Sequence, residues 1–140
     1  MHKVRNIKLV MLAILVFLSG VAYYMYFRCQ MLLLEVECEV VPFQILTSYP
    51  TFVHVFSFSV LHVILFNTRY WYGPIFWFVV NVVFEVGQVA TKSGESSTLF
   101  ASYFTNGVFD LDDLLAALIG AVVAFALLKL EYKSERQSPD

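Results

Sequence analysis

Asn81, Glu85 and Gln88 offer the most chemistry in this chain, because they place a carboxylate and two carboxamides in a run from Gly73 to Ala90 that is otherwise almost wholly apolar. On a helix turning about 100° per residue, Glu85 lies about 40° to one side of Asn81 and Gln88 about 20° to the other, so the three make one polar stripe. Hydrocarbon cannot solvate such a stripe. An ionisable residue within a membrane helix faces protein or a water-filled cavity as a rule, and it marks a functional site by default. Partners for Glu85 must therefore come from other elements, and His54, Asp110 and Asp113 are the candidates. A carboxylate beside a histidine could act as general base and acid. The same groups could instead hold a lipid headgroup or another polar ligand.

Composition identifies the elements that must position these groups. The 140 residues are 59% hydrophobic and 17% aromatic but only 14% charged, whereas a soluble domain averages about a quarter charged residues. Four apolar runs occur, at 7–27, 51–67, 73–90 and 111–130, each close to the roughly 20 residues that cross about 30 Å of hydrocarbon as a helix. The expectation is an all-α integral membrane protein, a single four-helix transmembrane bundle over residues 1–130, with 131–140 a disordered cytoplasmic tail. If both ends are cytoplasmic, Lys3, Arg5, Lys8, Arg69, Lys129, Lys133 and Arg136 lie inside and only Arg28 and Lys92 outside. That asymmetry gives an N-in/C-in topology. No basic patch suits a nucleic acid.

The basic head from Met1 to Lys8 followed by an apolar run has the look of a signal peptide. The apolar run continues to Phe27 without a convincing small-x-small cleavage site at its end, and an uncleaved first helix is expected. Tyr23, Tyr24, Tyr26 and Phe27 would form an interfacial belt at its outer end. In the loop from Arg28 to Pro50, Glu35, Glu37 and Glu39 alternate with Val36, Cys38 and Val40, as in an extended segment or a solvated acidic loop. Cys29 and Cys38 would face the oxidising side, either as a disulfide or as two free thiols. In the second helix, Ser57 and Ser59 are expected to return their hydroxyls to backbone carbonyls of the preceding turn. Asn67 to Pro74 should form a tight turn with Pro74 in the first turn of the third helix. Residues 98–103 are expected to form a short external interfacial helix. Asp110, Asp112 and Asp113 open the fourth helix, where capping and the helix dipole favour them. Ala116, Gly120 and Ala124, with Ala117 and Ala121 alongside, form a small-residue stripe suited to close helix packing within the bundle, or to a partner helix.

Antiparallel topology brings the polar groups to one end. The third helix runs outward to Glu85 and Gln88, while the second and fourth run inward from His54 and from Asp110 and Asp113. All five residues then lie about 5 to 9 Å from a helix end, on the outer side. The expected ligand-binding set is His54, Glu85, Gln88, Asp110 and Asp113. Glu85 and His54 form the catalytic alternative, with Ser57 the one hydroxyl near enough to act as nucleophile. A metal held by His54, Glu85 and Asp113 has no diagnostic spacing behind it, and no cofactor is expected. The remaining alternative is that these groups only satisfy one another and fix helix register.

At these positions the chain resembles the VanZ-like family of small bacterial membrane proteins. The resemblance rests on Pro50-x-x-x-His54, on Glu85-x-x-Gln88, and on Gly107-x-x-Asp110-x-x-Asp113 followed by Gly120. It covers residues 48–127 and departs at Ala117, where the family usually has asparagine. It implies a multi-pass protein of the bacterial inner membrane, associated with the cell envelope and with glycopeptide resistance. A membrane lipid or a lipid-linked envelope precursor would be its ligand. Two other functions stay open: an intramembrane enzyme acting on a lipid-linked substrate, and a small accessory subunit of a membrane complex.

Overall fold

A computed structural model describes residues 3–27, 48–92 and 110–136. The expectations for the 28–47 loop with Cys29 and Cys38, for the 98–103 helix and for residues 137–140 lie outside them. The described residues form four helices, α1 (Lys3–Phe27), α2 (Tyr49–Leu65), α3 (Tyr72–Lys92) and α4 (Leu111–Arg136), and no strand.

The helix ends follow local chemistry more closely than hydropathy. Helix α2 starts ahead of its apolar run, with Pro50 in the first turn, where a missing N–H breaks no helical bond. It stops at Leu65, and Asn67 adopts φ 51°, a left-handed conformation that asparagine tolerates well. The amide of Thr68 returns to the carbonyl of Val63, and that of Tyr72 to Arg69, so the chain reverses within a few residues and Pro74 falls in the first turn of α3. Helix α4 corrects the expectation of a disordered tail after Leu130, because it continues to Arg136. Glu131, Lys133 and Glu135 are good helix formers, and no glycine or proline interrupts before Pro139. Tyr70, in the α2–α3 turn, sits with its ring 5.4 Å from both Phe125 and Tyr132 and so ties the turn to this last part of α4.

Helix α2 is the shortest of the four and the central one. It packs on each of the other three, α3 also packs on α4, and α1 is held through α2. Each neighbour brings a glycine to the contact. A β-carbon on Gly20 of α1 would lie 2.7 Å from the Val53 side chain, and one on Gly120 of α4 would lie 2.7 Å from the Phe52 carbonyl oxygen. One on Gly73 of α3 would collide with the carbonyl oxygen of Ser59. At Gly73 and Gly120 the approach is backbone to backbone, and at Gly20 it is backbone to side chain. Close approach at small residues is how helices associate where no hydrophobic effect drives them together. On α4 most of the expected stripe is buried within this bundle, with Ala117, Gly120, Ala121 and Ala124 covered and Ala116 half-buried.

Apart from Phe56 and Leu128 in the core, the large apolar side chains lie mostly outside and small or polar ones inside. The largest fully buried side chains are Val53, Val55, Val60, Ser57 and Ser59. Outward-facing positions follow helical spacing: Ile7, Met11, Leu15 and Leu18 on α1, Ile75, Val79, Val83 and Val86 on α3, and Leu111, Leu115, Leu118 and Val122 on α4. A soluble helix would carry its apolar stripe inward. Two of the helices are long and apolar enough to cross a membrane, Ile7–Met25 with mean hydropathy 2.1 and Leu111–Ser134 with 2.2. Helix α2 is equally apolar in character but shorter, and α3 is diluted by its polar stripe.

The hydroxyls of Ser57 and Ser59 do not return to the backbone as expected, and neither finds a hydrogen-bond partner among the described residues. Their value is their size. Replacing Ser59 by Ala should therefore change stability by less than about 1 kcal/mol, since it removes an unsatisfied hydroxyl without changing shape. Gly120→Val should cost about 3 kcal/mol or more by forcing α4 off the Phe52 carbonyl. Thermal unfolding of the two variants in detergent checks both values.

Candidate functional site

The polar groups of α2, α3 and α4 meet at the end of the bundle where α3 finishes and α2 and α4 begin. Glu85 is 8% exposed, and its Oε2 accepts the backbone N–H of Asp110 at 3.2 Å. Asp110 is the residue before α4, and its own Oδ1 accepts the N–H of Asp112 at 2.9 Å, an N-cap bond to the first turn. One turn on, Asp113 Oδ1 accepts the hydroxyl of Thr51 at 3.1 Å. Glu85 thus ties α3 to the start of α4, and Asp113 ties α4 to the start of α2.

The sequence folds this way for local reasons. Aspartate at the position before a helix satisfies an amide that has no helical partner. The backbone N–H of Asp110 points the other way, towards α3, and there it meets Glu85. Asp112 and Asp113 follow in the first turn of α4, at the positive end of its dipole. Asp110, Asp112 and Asp113 are half-buried, so they are reachable from outside while Glu85 beneath them is not. No lysine, arginine or histidine pairs with these carboxylates among the described residues. The arrangement suits the binding of a ligand with positively charged or hydrogen-donating groups.

Of the five expected site residues, the structure brings Glu85, Asp110 and Asp113 together. Gln88 is half-buried on α3, three residues beyond Glu85. His54 does not join the hydrogen bonds of the cluster. Its imidazole packs edge-on to Phe58 at 4.5 Å and lies 5.6 Å from the ring of Trp77, eight residues before Glu85 on α3. Three residues along α2 from Thr51, His54 is turned by about 60°, enough to face a different flank of the helix. Asn81 also leaves the expected stripe, because its side-chain amide donates to the Trp77 carbonyl of its own helix at 2.9 Å. The missed member is Thr51. Its position in the first turn of α2, level with Asp113 in the first turn of α4, was the signal that could have found it.

This geometry bears on the chemical alternatives. Ser57 is fully buried and makes no hydrogen bond to His54, so no nucleophile–base pair is formed by these two. Among the described residues no group of three His, Cys, Asp or Glu side chains is placed to hold a metal ion, and the set His54, Glu85 and Asp113 does not converge.

No protein-family model, curated protein or solved structure matches this chain.

The Asp110 amide should tolerate an uncharged acceptor. Glu85→Gln keeps an oxygen in place and should unfold within about 1 kcal/mol of the parent, whereas Glu85→Ala leaves a part-buried N–H without its acceptor and should cost more than Glu85→Gln, about 1 to 2 kcal/mol. For the second tie, a double-mutant cycle with Thr51→Val and Asp113→Asn should return a coupling of about 1 kcal/mol. Additive losses would mean that the two side chains do not interact.

Proposed function

We propose that this protein is a non-enzymatic, multi-pass membrane protein in which all four helices span the bilayer, N-in and C-in, and whose outward polar end binds the headgroup of a membrane lipid or lipid-linked envelope precursor. The observation that carries the reading is the set of half-buried carboxylates above buried Glu85, held at the common end of three helices whose flanks are apolar. Inward-facing small residues and outward-facing Ile, Leu, Met and Val support insertion of the whole bundle, including α3. Its charged residue within the apolar run is then covered by Asp110 and not exposed to lipid. The basic residues set the orientation. With that orientation the carboxylates lie at headgroup level. The resemblance to VanZ-like proteins points in the same direction, towards the bacterial inner membrane and the cell envelope.

Charge selects the headgroup class. Asp110, Asp112 and Asp113 repel a phosphate that approaches alone and attract an ammonium, so an amine-bearing headgroup or precursor is preferred over an anionic one. A binding role also fits carboxylates of Glu85, Asp110 and Asp113 that each accept one bond, from the Asp110 and Asp112 amides and the Thr51 hydroxyl, and so are held in place with acceptor capacity to spare. Proton transfer would need at least one of them paired with a reacting group.

Protein in detergent, titrated with phosphatidylethanolamine and followed by native mass spectrometry, should retain it in preference to phosphatidylglycerol. Asp112→Asn should weaken that retention about tenfold, equivalent to about 1.4 kcal/mol, and leave thermal stability nearly unchanged. Equal retention of the two lipids, or no effect of the substitution, would remove the headgroup reading. For orientation, a fluorescent-protein fusion at the C-terminus should fluoresce, and an alkaline phosphatase fusion there should be inactive.

A further inference from the structure

The two flanks of the α1–α2 seam are built differently. One flank is stitched shut near its end: the Tyr49 and Ser19 hydroxyls lie 2.8 Å apart, and the Tyr49 ring stands 5.1 Å from that of Tyr23. The other flank holds a groove of about 310 Å³. Phe17, Val21 and Tyr24 of α1 form one wall and Pro50, Thr51 and His54 of α2 the other, while the Gly20–Val53 contact lies at its base. From Phe17 to Tyr24 the groove runs about 10 Å along the helix axis, starting from the same end of the bundle as the carboxylates.

Three observations say what fills it. All three α1 residues belong to the 19-residue apolar segment Ile7–Met25, so the groove lies at the depth of that span. Phe17, Val21 and Tyr24 are exposed, which leaves the groove open sideways. Its lining is mostly apolar, with His54, Thr51 and Tyr24 the side chains that carry polar atoms, and the Thr51 hydroxyl is already bonded to Asp113. The imidazole of His54, on the α2 wall, makes no hydrogen bond to the carboxylate cluster. An ionisable residue at this depth, held in place by Phe58 and Trp77 but hydrogen-bonded to neither ring, is placed to meet something other than its own protein.

We infer that the groove between α1 and α2 is a lateral lipid site that takes one acyl chain of a bilayer lipid, with His54 donating a hydrogen bond to the ester carbonyl at the head of that chain. This rests on the membrane-spanning part of the reading above and is separate from the carboxylate cluster. The protein would hold the lipid by its chain and ester on this flank, and any headgroup preference would come from the neighbouring Asp113 side.

The test uses the full chain in vesicles of phosphatidylethanolamine and phosphatidylglycerol doped with phosphatidylethanolamine carrying a photoactivatable diazirine in its acyl chain. Labelled residues are mapped by mass spectrometry with and without excess unlabelled lipid. Labelling of Phe17, Val21 and Tyr24 should be lost on competition, as at a saturable site. Labelling of Leu15, on the opposite face of α1, should not change. Val21→Trp, which fills the groove without touching the Gly20 contact, should reduce the competed labelling about tenfold. His54→Phe keeps the aromatic packing against Phe58 and Trp77, and it should reduce the competed labelling of an ester lipid but not of its ether analogue. If groove residues and Leu15 are labelled alike and neither is competed, the groove is ordinary lipid-facing surface and the proposal fails. If Leu15 is labelled and the groove residues are not, protein covers the groove and the proposal fails while the membrane reading stands. Absence of label everywhere would overturn the membrane reading and this inference with it.

Discussion

The bond from the Asp110 amide to the Glu85 carboxylate is the constraint around which the bundle is arranged. A carboxylate buried in an apolar helix has to be met by a donor, and the amide ahead of a helix has to be met by an acceptor. Each answers the other. Because the amide belongs to the backbone, the solution fixes the position of the α4 N-terminus and not merely of one side chain. Once α4 starts there, its first turn lies beside the first turn of α2, and Thr51 reaches Asp113. The direction of α4 also delivers Gly120 to the α2 backbone further along the bundle. Polar contact at one end and backbone approach in the middle are then two parts of a single geometry.

Much of this was legible in the sequence, but unevenly. The meeting of Glu85 with Asp110 and Asp113 followed from the depth of each residue along an antiparallel bundle, and depth is a count of residues. Azimuth around a helix axis is not so easily read when its flanks are all apolar. His54 has the right depth and the wrong azimuth, which is why it faces α1 and Trp77 and not Glu85. Asn81 was lost from the stripe for a different reason. A carboxamide can satisfy itself on its own helix, and nothing in the spacing tells when it does so. Ser57 and Ser59 show the converse, since their hydroxyls had a local solution available and did not take it.

The fold was legible at the level of four helices, and the small-residue stripe on α4 announced its packing face. The central position of α2 was not announced. It comes from Gly20 and Gly73, single glycines on other helices whose purpose appears only when their neighbours, the Val53 side chain and the Ser59 carbonyl, are known. Hydropathy misplaced the ends of α2 and α4 because a helix stops where its capping and turn residues stop it. Asn67 ends one; the helix formers after Leu130 prolong the other.

Tyr70 gives the bundle two dissimilar ends. Its ring lies against Phe125 and Tyr132 and clasps the turn to α4 by aromatic packing. The far end is closed by two hydrogen bonds to carboxylates, for which water can compete. One end is thus held by ring packing and the other by hydrogen bonds that a polar solute can replace.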